Sequence, residues 1–99
     1  MRKKLSENQL KLYKAIDEIL WNDWDPIGVS KFPEARDEYN SYLPHVFSLV
    51  IKNASANEIG QYLFFVETKS MEVEGTLDRC ISIAKKIVEE KKILTSYNH

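Results

Sequence analysis

The chain has 99 residues, 43% of them hydrophobic and 29% charged, with a formal net charge of -1. That length suits one domain with a modest core, and a lone cysteine excludes an internal disulfide. The near-neutral balance gives no overall field for nucleic acid or an anionic membrane, and no apolar run approaches the ~20 residues of a membrane span.

Met1-Arg2-Lys3-Lys4 imitates the charged start of a secretory leader, but polar Ser6-Glu7-Asn8-Gln9 stands where an apolar segment would follow. A cytoplasmic location is therefore expected. Ser6 and Gln9 form a capping box, and Leu5 before the cap can staple to Leu10. Leu12, Tyr13, Ile16, Ile19, Leu20 and Trp24 then follow helical spacing, which predicts a first helix over roughly 7–23.

The next stretch, Trp21 to Pro33, holds both tryptophans, two of the three prolines and one of the three glycines. Asp25 precedes Pro26 and is pushed away from the α region, so the helix should stop near Trp24. Gly28 offers the backbone a positive φ. Ile27, Val29 and Phe32 are apolar residues in a segment too broken for a helix, as in a loop that folds back on its core. Trp24 continues the stripe of Tyr13, Ile16 and Leu20. It should pin the loop together with Pro26 and Ile27, leaving Asp23 and Asp25 at the surface.

Pro33 suits the start of a short helical turn through Arg36. A second long helix starting near Asn40 places Pro44 in its first turn, where proline is tolerated. Tyr39, Leu43, Val46, Phe47 and Val50 then share one stripe, and Asn53 can close the helix in the left-handed conformation. Ser55 and Glu58 form a second capping box. Ile59, Tyr62, Leu63 and Val66 line the inner face of a third helix over roughly 56–69. Phe64 and Phe65 cannot both face that core. Met71 to Gly75 reads as a loop, and Thr76 or Asp78 caps the last helix. Its stripe is Leu77, Cys80, Ile81, Ala84, Ile87 and Val88, with Lys85, Lys86, Glu89, Glu90, Lys91 and Lys92 on the wet side. The tail from Thr95 is polar and should fray.

No stretch alternates as a strand would. The expected fold is all-α: a four-helix antiparallel bundle or irregular helical array, with a Trp-Asp-Pro loop between helices 1 and 2. It forms a single domain over 1–99 with an ordered core of roughly 6–94.

The search for chemistry is mostly negative. His45 and Cys80 show no spacing that asks for a nucleophile pair. Zinc-ligand spacing and a phosphate-cradling glycine loop are missing. The expectation is no metal, no cofactor and no enzyme. What stands out is acidity. Asp17, Glu18, Asp23, Asp25, Glu34, Asp37 and Glu38 face only Lys31 and Arg36, a local charge of -5. A solvated acidic face is the plain reading. The sharper one is a docking surface for a basic protein, built from Trp21, Asp23, Asp25, Glu34, Asp37 and Glu38. The alternative is a small enzyme or ligand-binding domain using clustered carboxylates, although no carboxylate is marked as buried by its neighbours. Lys85, Lys86, Lys91 and Lys92 cluster on one helix, but Glu89 and Glu90 sit among them, which argues against nucleic acid. Self-association through Phe64, Phe65 or a tryptophan stays open.

Trp24-Asp25-Pro26-Ile27-Gly28 resembles the loop of YugE-like small bacterial domains of unknown function. The resemblance extends over roughly 12–90, through Tyr39 and Tyr42, Leu49-Val50, the Ala56–Leu63 helix, and Cys80 with Ile83-Ala84-Lys85-Lys86. Asp37-Glu38-Tyr39 and Tyr42-Leu43-Pro44 depart from the pattern. The resemblance implies a small all-helical fold and no established activity. Small acidic helical proteins also serve as immunity proteins beside bacterial toxins, an analogy of size and charge alone.

Overall fold

A computed structural model of the chain describes residues 6–25, 28, 31–71 and 75–96. Expectations placed on Leu5, Pro26, Ile27, Val29 and the extreme tail lie outside them.

The regular elements among the described residues are all helical. Helix α1 spans Glu7–Ile19 and continues into a π-helical turn, Leu20–Trp24. A 3-10 turn follows at Pro33–Ala35. Helix α2 is Leu43–Ile51, and α3 is Ala56–Phe65 with a second π-helical turn at Val66–Ser70. Helix α4, Leu77–Ser96, is the longest and packs most extensively on α3 and then on α1.

Both expected capping boxes form. Ser6 Oγ accepts the Gln9 N–H at 3.1 Å, and Gln9 Oε1 accepts the Ser6 N–H at 3.0 Å. Ser55 and Glu58 repeat the exchange at 3.1 and 3.0 Å. Each box satisfies two backbone donors that a helix start leaves without partners. At α4 the cap is Thr76, whose hydroxyl accepts the Arg79 N–H at 3.2 Å.

Three expectations shift. The first and third helices do not run on as α-helix to 23 and 69. Each ends in a π turn, closed by Asp25 N–H to Leu20 O and by Met71 N–H to Val66 O, both at 3.0 Å. Helix α2 begins at Leu43 rather than near Asn40, because residues 36–42 form successive turns. Tyr39 is buried all the same, carried inward by those turns. Ile83, absent from the expected stripe of α4, is buried, while Ile81 is only half-buried.

The core draws on every helix: Leu12, Ile16 and Leu20 from the first, Val46 and Val50 from α2, Ile59 and Leu63 from α3, Cys80, Ala84 and Ile87 from α4. Gly60 sets the closeness of α3 to α4. A Cβ there would stand 2.6 Å from Ile81 Cγ1 and 2.7 Å from its Cα, so any side chain would push the helices apart. Phe64 is half-buried and Phe65 is exposed, which resolves the two-phenylalanine conflict.

Candidate functional site

Among the described residues the buried charged side chain is a carboxylate. Glu67 lies in the second π turn with 1% of its surface exposed. Burying a charge is costly unless it is paired and hydrogen-bonded, and Glu67 is both. Trp24 Nε1 donates to Oε2 at 3.1 Å, and the Cys80 thiol donates to Oε1 at 3.1 Å. The Arg79 guanidinium stands 3.9 Å from Oε2. Gly75 closes the site, since a Cβ on it would lie 2.1 Å from Oε1.

Arg79 also ties this cluster to the first π turn. It donates to the backbone carbonyls of Asp23, at 2.8 Å, and of Trp24. These are carbonyls that a helix end leaves without intrahelical partners. Burial and the neighbouring carboxylate push the Cys80 thiol up to about 12, so it stays protonated and serves as a donor. Reactive cysteines are exposed and low in pKa, and Cys80 is neither. His45 stacks on Tyr62 with ring centroids 4.2 Å apart and has no part in this cluster.

Above the cluster lies an aromatic layer. Trp24 is fully buried and meets Tyr39 and Tyr42 at centroid distances of 5.3 and 6.2 Å. Trp21 is 7% exposed and tilts against Tyr39. Its indole is thus packed inward, which corrects its expected place as a surface contact. The spacing that puts Trp21 and Trp24 on one helical face also sends both into the core.

The acids distribute unevenly. Arg36 holds Asp17 through two bonds of 3.0 and 3.1 Å, also reaches Glu18, and lies 5.2 Å over the Trp21 ring. Its bond to Asp17 pushes Arg36 further toward the charged form. Asp23 pairs with Lys86 at 3.5 Å. Asp25 accepts the Tyr39 hydroxyl at 2.6 Å and sits at φ 32°, a left-handed conformation that aspartate tolerates better than most residues. Asp23 stays at the surface as expected, its side chain 37% exposed, while Asp25 is half-buried against Tyr39. Glu34, Asp37 and Glu38 are exposed and have no ion-pair partner among the described residues. Glu34 and Asp37 line one open cleft of about 420 Å³ with Asp17, Arg36 and Asn40. Asp23 lies apart, in a groove of about 280 Å³ with Ile19, Lys86 and Ile93. Of the six candidate residues, Glu34, Asp37 and Glu38 form an acidic ridge, while Trp21 is buried and Asp23 and Asp25 are engaged by Lys86 and Tyr39.

Among the described residues no three acidic, histidine or cysteine side chains come together as a metal site. No helix among the described residues is long and apolar enough to cross a membrane. Sequence reasoning missed Glu67 and Arg79. Glu67 had a readable signal, because it falls four residues after Leu63 and eight after Ile59, on the apolar face of its helix. Arg79 had none, since its role comes from two carbonyls 55 and 56 residues away.

The fold and this arrangement define a small all-α domain with a buried carboxylate cluster under an aromatic layer and an acidic ridge on its surface. Comparison with protein-family models, with curated proteins and with solved structures gives no match to this chain.

Proposed function

We propose that this chain is a non-enzymatic protein-binding domain that acts in the cytoplasm and docks a basic protein surface through Glu34, Asp37 and Glu38. The observation that carries the reading is the contrast within the acidic run. Four of its seven acids are engaged by Arg36, Lys86 or Tyr39, while these three remain exposed on one short segment. Charge presented in this way speeds encounter with an opposite surface and sets partner choice. Arg36, fixed on Trp21 and Asp17, anchors the segment at its middle. An immunity-type role, in which the partner is a basic bacterial toxin, is the specific form of this reading, by analogy of size and charge. Kinship with YugE-like domains rests on Trp24-Asp25-Pro26-Ile27-Gly28.

The test is affinity capture from the native host with the wild type and with the triple variant E34Q/D37N/E38Q, at low and high salt. A captured basic protein that is lost with the variant, and weakened by salt, supports the proposal. Capture that is indifferent to all three substitutions overturns it.

A further inference from the structure

Helix α3 and the π turn that continues it present a second stripe, opposite the one in the core. Ile59, Gly60, Leu63 and Val66 are buried on the inner side. On the outer side Glu58, Tyr62, Phe65 and Lys69 follow one another at steps of four, three and four residues. That spacing is the seam by which one helix packs along another. Glu58, Phe65 and Lys69 are exposed, and Tyr62 is half-buried.

A single exposed apolar side chain is ordinary on a protein surface. Phe65 is more than that in two respects. At 56% it is the most exposed large apolar side chain among the described residues. It also has an aromatic neighbour one turn away in Tyr62, and Tyr62 is braced from α2 by His45, with ring centroids 4.2 Å apart.

The order of the four residues points to the occupant. Along the stripe they read acid, aromatic, aromatic, base. Two such stripes can lie antiparallel about a two-fold axis midway between Tyr62 and Phe65. Each Glu58 then falls opposite the second copy's Lys69, and each Tyr62 opposite the second copy's Phe65. A parallel pairing would set like charges together. Closed two-fold contacts require this kind of self-complementarity, and antiparallel helices also bring opposite dipole ends together. Glu58 commits Oε1 to the Ser55 N–H in its capping box, and a carboxylate has a second oxygen for a lysine. Neither Glu58 nor Lys69 has an ion pair among the described residues.

We propose that the chain pairs with a second copy of itself through this stripe, as an antiparallel two-fold dimer. The seam covers about three helical turns, roughly 16 Å at 1.5 Å per residue. One helix pair of that length buries less than the ~1,200 Å² of stable complexes, so the dimer is weak, with Kd on the order of 100 µM. It uses none of the acidic ridge and does not depend on the function proposed for it.

Sedimentation velocity of the full chain between about 10 µM and 1 mM should follow the passage from monomer to dimer. Phe65→Gln should weaken pairing about tenfold or more with helicity unchanged, since Phe65 lies outside the core. K69E and E58K each set like charges face to face, and each should weaken pairing by about tenfold. Mixed in equal amounts, these two variants should pair again, because every facing charge in the mixed dimer is then opposite in sign. Circular dichroism checks E58K, which loses the side-chain half of its capping box, while Phe65→Gln and K69E leave the box intact. A chain that stays monomeric at about 1 mM would overturn the proposal. So would pairing that is indifferent to Phe65→Gln, or a mixture of K69E and E58K that associates no better than either variant alone.

Discussion

Two charge clusters in this molecule have nearly the same chemistry and opposite surroundings. At Glu67 one carboxylate meets Arg79, Trp24 and Cys80 in a site with 1% exposure. At Arg36 one guanidinium meets Asp17 and Glu18, with side chains 38%, 32% and 63% exposed. The ion pair at Arg36 is the shorter, 3.0 Å to Asp17 against 3.9 Å between Arg79 and Glu67. Bond length is nonetheless a poor guide to their weight. Water screens the exposed cluster and can replace each lost partner, whereas the buried carboxylate has no such substitute. The weaker-looking cluster should therefore dominate stability, and the better-formed one should mainly shape a surface.

The largest effect should come from Glu67→Ala. It opens a buried cavity and removes the acceptor of Trp24 and Cys80 together, and should cost about 3–5 kcal/mol. The denaturant midpoint at constant slope is the measurement. A loss below about 1 kcal/mol would mean that water reaches Glu67 and that the comparison is misdrawn.

Trp24→Phe sharpens the point, because it keeps most of the ring and deletes the Nε1 donor to Glu67. Loss of one partner from a buried charged group should cost about 1–3 kcal/mol. Trp24→Ala adds a cavity and should reach about 3–5 kcal/mol. If Phe and Ala cost the same, packing volume contributes nothing at this site.

The thiol gives a pH signature. Cys80 is raised from 9.0 to about 12 in the folded protein. The unfolded chain thus releases this proton at lower pH than the folded one. Its contribution is full below about pH 9 and declines as pH rises toward 12. Tyr62, raised chiefly by burial, acts in the same direction. Stability should therefore fall across that window, and Cys80→Ala should flatten part of the slope. Native Cys80 should also resist thiol reagents at neutral pH until the protein unfolds. Rapid labelling of the folded chain would contradict the burial on which this rests.

The smallest effects belong to the surface cluster. Arg36→Gln should change stability by about 1 kcal/mol or less, and by less still in high salt. E34Q/D37N/E38Q should stay within about 0.5 kcal/mol of wild type. A large loss in either would show that the ridge is part of the fold and not a surface available to a partner.

Sequence periodicity was sufficient for the helices and for most of the core. Ser6 with Gln9 and Ser55 with Glu58 start helices because their partners lie three residues away, so the interaction is local and legible. Leu43, Val46, Phe47 and Val50 could be assigned to one buried face for the same reason. The acidic run was also legible as a count of charges, but not as a site. Whether Asp23, Asp25 and Asp17 reach solvent depends on Lys86, Tyr39 and Arg36, which lie 63, 14 and 19 residues further on. The same holds for Glu67. Its place on an apolar helical face can be read from spacing, but the donors that make burial tolerable come from two other helices. A lone charge on such a face is unstable without them. Tertiary packing of α1 and α4 around the end of α3 thus decided that Glu67 is a buried anchor and that Glu34, Asp37 and Glu38 form the exposed surface. Local sequence contains no term for partners that meet only after the helices have packed.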